Sequence, residues 1–205
     1  MRKIFTLSLI IFMPFLLIAQ ENGKIQELGL TTNNLSSVGL SYRIGNNNAL
    51  WRFNTSANNL SIMIEDNEAT SWRDHLNISA SIGREWRKPI GNMFELRSGV
   101  DLGFGYANDQ LAYYFDTRSL EGKNYTLISS INGVFGFNFI LGKAIVLGFE
   151  VQPIVSYSFG LGDQSTVSLG SSEFTINEKE RSFNFDLSTS SALFSLAYRF
   201  SRSKD

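Results

Sequence analysis

The sequence predicts an all-β protein: an eight-stranded antiparallel up-and-down transmembrane β-barrel, with short periplasmic turns and longer extracellular loops. Three observations predict it. Apolar and polar side chains alternate along eight segments, as they must where successive residues leave a strand on opposite faces. The connections between those segments alternate between short and long. The polar face also carries acids and arginines in equal number, which suits an enclosed interior where charges must be paired.

The chain's 205 residues suit one domain. The absence of cysteine excludes a disulfide scaffold and any thiolate metal or redox site. A formal charge of −1 gives no basic field for nucleic acid, so none is expected as a partner.

The first segment, 1–19, has the layout of a secretory signal peptide. Arg2 and Lys3 precede an apolar run from Ile4 to Ile18 that is broken by Pro14 and ends at the small residue Ala19. Cleavage after Ala19 would remove both cations and leave 16 basic against 19 acidic residues in 20–205. No cysteine follows to carry a lipid anchor. No other stretch approaches the ~20 continuous apolar residues of a membrane helix.

The strands follow in order. The first, "IQELGLTT", sets Leu28 and Leu30 against Glu27, Gly29 and Thr31. "SVGLSYRIG" sets Val38, Leu40, Tyr42 and Ile44 against Gly39, Ser41 and Arg43, and "LWRFNTSAN" sets Trp51, Phe53, Thr55 and Ala57 against Arg52, Asn54, Ser56 and Asn58. The fourth, "HLNISASIGREWR", opposes Leu76, Ile78, Ala80, Ile82 and Trp86 to Asn77, Ser79, Ser81, Gly83, Glu85 and Arg87. "FELRSGVDLGFGY" is the clearest, with Phe94 through Tyr106 on the even positions and Glu95, Arg97, Gly99, Asp101, Gly103 and Gly105 on the odd ones.

The sixth, "YTLISSINGVFGFNFIL", places Tyr125, Leu127, Ile131, Phe135, Phe137 and Phe139 on one face. The seventh, "IVLGFEVQPIVSYSF", opposes Phe149, Val151, Tyr157 and Phe159 to Glu150 and Gln152. Pro153 sits within it, and since proline cannot donate to a ladder, a bulge is expected there. The last, "ALFSLAYRF", changes phase against Phe183 and Phe185 upstream. Either a bulge lies in 188–191, or the upper part protrudes above the membrane.

Strands two and three are joined by "GNNN", four and five by "KPIGN", and six and seven by "LGK". The opposite links run through "EDNEATSW", "NDQLAYYFDTRSLEGKN" and about 160–181; only "TNNLS" is brief. Short turns on one side and long loops on the other describe an outer-membrane barrel. With the turns as the lower edge, Tyr42, Trp51, Trp86, Phe94, Phe139, Tyr198 and Phe200 form one aromatic girdle, and Tyr106, Tyr125, Tyr157 and Phe159 the other. The apolar face then meets lipid. The inward set is Glu27, Glu85, Glu95, Asp101 and Glu150 with Arg43, Arg52, Arg87, Arg97 and Arg199. An eight-stranded barrel is just wide enough for side chains to fill, so these ten are expected to plug the lumen as a structural ion-pair network.

These residues, above all "ELGLTTNNLSSVGLSYRIGNNNALWRF" and "ALFSLAYRF", resemble the small eight-stranded outer-membrane β-barrel proteins, the OmpA/OmpX-like and porin-like barrel-domain families. The resemblance implies residence in the cell outer membrane of a Gram-negative envelope. The partners it implies are outer-membrane lipid, lipopolysaccharide and the barrel-assembly machinery, which reads the terminal strand. Here Phe200 is followed by "SRSKD", and Ser195 stands where that signal commonly has glycine.

Candidate chemistry is sparse. His75, the single histidine, lies near Asp74 and Ser71. Lipid A deacylases of the barrel type place a serine two residues after a histidine; position 77 is Asn77. "EDNE" offers carboxylates to calcium or to lipopolysaccharide-bound cations, or is a solvated acidic loop. Gly103 and Gly105 relieve crowding in a narrow barrel. No cofactor, metal or catalytic group is expected. The expected function is non-enzymatic: membrane integrity, or adhesion and binding of an extracellular or envelope protein through the loops. The alternatives are a lipid-modifying enzyme of the deacylase or acyltransferase type, or a small porin. A soluble lipocalin-like barrel would need an apolar interior, which the face assignment opposes.

Overall fold

The computed structural model describes residues 25–33, 37–67, 69–115, 118–142, 144–169, 172–186 and 192–201. The signal-peptide segment 1–19 and the expected bulge in 188–191 lie outside them, as does most of "SRSKD".

Ten strand segments build a closed antiparallel barrel of eight staves: β1 (Ile25–Asn33), β2 (Ser37–Gly45), β3 (Ala49–Asn67), β4 (Ala69–Ile90), β5 (Phe94–Phe115), β6 (Arg118–Leu141), β7 (Ile145–Val151), β8 (Ile154–Leu169), β9 (Ser172–Asp186) and β10 (Ala192–Ser201). The seventh stave is β7 with β8, and the eighth is β9 with β10. Strand order follows the chain, and β1 pairs with β10 from Ile25 opposite Ser201 to Thr32 opposite Phe194, which closes the ring. Closure leaves no edge in the lower wall, where all eight staves pair, as strands that cross lipid must.

The lower turns are built from local chemistry. Asn46 Oδ1 accepts from the backbone N–H groups of Asn48 (3.2 Å) and Ala49 (2.8 Å), closing the β2–β3 hairpin as an Asx turn. The turn after β4 uses Gly91 at φ +68°, and that after β6 uses Gly142 at φ +65°, where a side chain is disfavoured.

The three long excursions are not open loops. Their ladders run to Asn67 opposite Ala69, Phe115 opposite Arg118 and Leu169 opposite Ser172, with register shifts at Asn58/Ser61 and Gln164/Val167, so each is a paired β-hairpin. Their aromatic and β-branched content keeps them extended.

The upper wall is uneven. Pairing of β2 with β3 ends at Ser37 opposite Asn58, and β3 bulges between Asn58 and Ser61 as it loses that neighbour. Above this level β3, β4, β5, β6, β8 and β9 continue as a six-stranded sheet. Among the described residues, β9 pairs only with β8. The β1–β2 hairpin is therefore the low side of the mouth.

The bulge expected at Pro153 is absent. Phe135 faces Val151 and Asn132 faces Ile154, so equal numbers of residues separate the two pairs and the register passes through unbroken. Gly133 N donates to Pro153 O at 2.9 Å, and a side chain at Gly133 would meet the pyrrolidine ring at 3.0 Å. The missing donor is tolerated because glycine stands opposite. The register shift lies in the eighth stave instead. Asp186 faces Ile154 and Ala192 faces Val151, leaving two residues between these pairs on one stave and five on the other. An odd excess of three turns the side chains over, which is why Phe183 and Phe185 and then Phe194 and Leu196 are all exposed outward.

Polarity is inverted relative to a soluble barrel. Val100 is 47 % exposed and Phe104 62 %, while Asp101, between them in the sequence, is fully buried, as is Glu85 on the neighbouring strand. The buried apolar residues Leu50, Val134 and Val146 point inward beside the charges and fill space.

Candidate functional site

Five carboxylates and five guanidiniums meet inside the lower half of the barrel. Glu27 is the hub. Its two oxygens accept from Arg87 Nη1 and Nη2, both at 2.7 Å, from Arg199 Nε at 2.7 Å and from Arg43 Nη1 at 3.4 Å. Arg43 and Arg199 reach it because they stand directly opposite on β2 and β10. Arg87 comes across the lumen, and its planar fork matches the carboxylate in a bidentate pair.

Arg87 Nε also donates to Glu85 at 2.6 Å, and Arg87 Nη1 to Glu95 at 3.3 Å. Glu95 is gripped by Arg199 at 3.0 and 2.8 Å and by Asn138 at 3.1 Å. On the other flank Arg52 bridges three acids: Glu150 at 2.7 Å, Asp101 at 3.0 Å and Glu85 at 3.1 Å. Arg97 bonds Glu150 and lies 3.7 Å from Glu85, and Arg43 Nε lies 3.6 Å from Glu85. Gln152 donates to Glu150 at 2.6 Å. All ten residues belong to one connected set, and all are buried.

Glycine makes room for the set. Gly83, Gly99 and Gly136 stand opposite Asp101, Glu85 and Glu150, and a Cβ at Gly99 or Gly136 would meet the facing strand's backbone. Gly103 is similarly tight against Ser130, whereas a Cβ at Gly105 would make only ordinary contact with Ile128, so crowding accounts for the first glycine and not the second. Alternation alone assigned the ten charged positions, with Gln152, Gly83 and Gly99, to one face; Asn138 and Gly136 were not singled out.

Above this layer lies a cavity of about 640 Å³, open toward the mouth. Its walls mix hydroxyls and amides from nearly every stave, among them Ser56, Ser79, Ser130 and Asn132, with apolar residues such as Ile128 and Leu193, and its floor is Glu150 with Gln152. Alternation placed Ser56, Asn77 and Ser79 on the polar face but gave no sign that they line a cavity, because a neutral polar side chain facing inward looks the same as one facing solvent.

The outer face carries the aromatics. Tyr42 packs on Phe53 (6.3 Å), Phe94 on Phe139 (5.0 Å) and Tyr198 on Phe200 (4.7 Å), with Trp86 also exposed and the Arg84 guanidinium 5.2 Å over the Trp51 ring. Near the mouth Tyr106 stacks on Tyr125 at 6.5 Å, and Arg181 sits 5.7 Å over Phe159. Phe183, which faces exposed Tyr157 in the ladder, extends this upper row and was missed because the phase change concealed its side.

His75 lies on β4 opposite Asp109 of β5 and Ser61 of β3. The bulge between Asn58 and Ser61 sets that register, so a serine, a histidine and an aspartate share one row. His75 Nδ1 is buried and makes no hydrogen bond. Among the described residues no group of three or more metal-ligating side chains gathers. The side chains of "EDNE" fall outside those described.

No family model matches the chain, and no curated protein matches it. Among solved structures it is similar to Ail, the attachment invasion locus protein of Yersinia pestis, at 14 % identity and a TM-score of 0.35, covering 88 % of this chain and all of that one.

Proposed function

We propose that this chain is an exported outer-membrane barrel, not an enzyme, whose lumen is sealed by the arginine–carboxylate layer and whose outer hairpins make contact with the cell's surroundings. The supporting observation is the inverted polarity: an apolar, aromatic-edged wall around a buried layer of ten mutually paired charges. Such a layer supplies no unpaired nucleophile and no free charge. It is suited to holding eight staves together. The segments free to differ without disturbing it are the hairpins 108–124 and 160–181, which stand above the membrane belt and serve as contact surface for an extracellular or envelope protein or for lipopolysaccharide.

The test combines fractionation with hairpin shortening. The mature chain should be recovered in outer membranes and migrate faster on a gel unboiled than boiled, because closed barrels resist detergent unfolding. Barrels with both hairpins shortened should keep that heat shift and lose adhesion or partner capture from intact cells. Recovery as a soluble periplasmic monomer would contradict the reading.

A second reading, hydrolysis of an acyl ester in the outer leaflet, is favoured by the Ser61–His75–Asp109 row. A triad needs its histidine oriented by the acid through Nδ1, and the unbonded Nδ1 counts against it. Acyl-chain release from outer-membrane lipid that disappears in Ser61→Ala would establish the enzyme instead.

A further inference from the structure

We propose that the hydroxyl- and amide-lined cup above the charged layer is a binding site for a neutral, hydroxyl-rich ligand, the end of a saccharide chain, entering from outside. Its volume of about 640 Å³ falls within the roughly 300–1,000 Å³ of small-molecule sites. The lining decides the chemistry. Glu150, at the floor, is already held by Arg52 and Arg97, and Asp186, at the wall, is engaged as well. A charged ligand would lose its water here and find no free counter-charge.

Hydroxyls and amides, in contrast, present donors and acceptors together, between apolar patches at Ala80, Ile128 and Leu193 that suit the C–H faces of a sugar ring. Ser56 and Ser79 stand 2.7 Å apart with either able to donate, and Asn54 reaches Ser81 at 3.2 Å. A sugar offers the same dual capacity around its ring. Asn132 also lines the cup as a 92 % buried amide whose unbonded Oδ1 is closed off from it.

The shape favours a chain end over a compact solute. The β1–β2 hairpin is low, while β3 and β9 rise on either side of it. A polymer can therefore lay its terminal units in the cup and leave over this low rim. The sheet walls do not have to part.

The test uses the full mature barrel, refolded in lauryldimethylamine oxide micelles, whose headgroup carries no sugar. Maltotriose, mannotriose and chitotriose are titrated while the side-chain amide resonances of Asn132 and Gln152 are followed. At least one trisaccharide should shift both resonances saturably. Ser79→Trp, which fills the cup from its wall, should abolish the shift, and Asn132→Leu should weaken binding about tenfold, the loss of one well-placed hydrogen bond. Heat modifiability shows that each variant is folded; if Ser79→Trp fails there, Asn132→Leu decides. Immobilised mannan then separates the sources: retention of the barrel identifies a polymer end, and release by mannotriose alone a free sugar. Three silent trisaccharides, unchanged binding in the folded variants, or tighter binding of glucose 6-phosphate would each overturn the proposal. Shortening hairpins 108–124 and 160–181 should leave saccharide binding intact, so this inference and the surface-contact reading fail separately.

Discussion

Glu27 and Asp101 are both buried acids in the same layer, and their environments differ in a way that ranks them. Glu27 holds three arginines, Arg87, Arg199 and Arg43, whereas Asp101 holds one, Arg52, with the neutral Asn54 amide beside it, and Arg52 keeps Glu85 and Glu150 when Asp101 is removed. Deleting one partner of a buried pair costs ~3–5 kcal/mol because a charge is stranded. Glu27→Ala should reach that range, and Asp101→Ala should fall clearly below it, in urea midpoints read by gel shift. Equal losses would mean that the layer is not organised around Glu27. The faces can be ranked the same way. Val100 points outward at mid-belt and Gln152 inward beneath the cup. Val100→Arg should cost ~2–4 kcal/mol, as a basic residue does at the midplane, and Gln152→Arg much less, since it faces the cup and Glu150. Equal cost at both positions would reverse the face assignment.

Among elements, the seventh and eighth staves separate what alternation reveals from what it hides. Period-two patterning put Glu150 and Gln152 inside without ambiguity, because each residue's face depends on its own strand. The consequence of Pro153 was not legible in that strand: it depends on Gly133 across the ladder, which admits the ring and keeps the register. The phase change at the eighth stave was legible, since Phe183 and Phe194 cannot share a face without an odd excess. In an antiparallel hydrogen-bonded pair both residues exchange N–H···O bonds. Gly133 donates to Pro153 O, so Pro153→Ala should restore the return bond and raise stability by about 0.5–1.5 kcal/mol, measured by denaturant midpoint. A loss instead would show that the ring itself is needed against Gly133. The long outer segments taught the opposite lesson. Polarity placed them beyond the belt, but only the ladders show that "NDQLAYYF" pairs along its whole length.

For the molecule as a whole, an apolar outer wall surrounds a layer of ten paired charges, and a cup lies above that layer. The ion-paired layer runs from Glu27 and Arg199 on one side to Arg97 and Glu150 on the other, with Leu50, Val134 and Val146 buried beside it, and it is this layer that we propose closes the lumen. That closure is the central claim, and planar-bilayer recording of the purified wild-type barrel tests it most directly. The account predicts a membrane that stays electrically quiet after insertion; a stable, large, open conductance would contradict it.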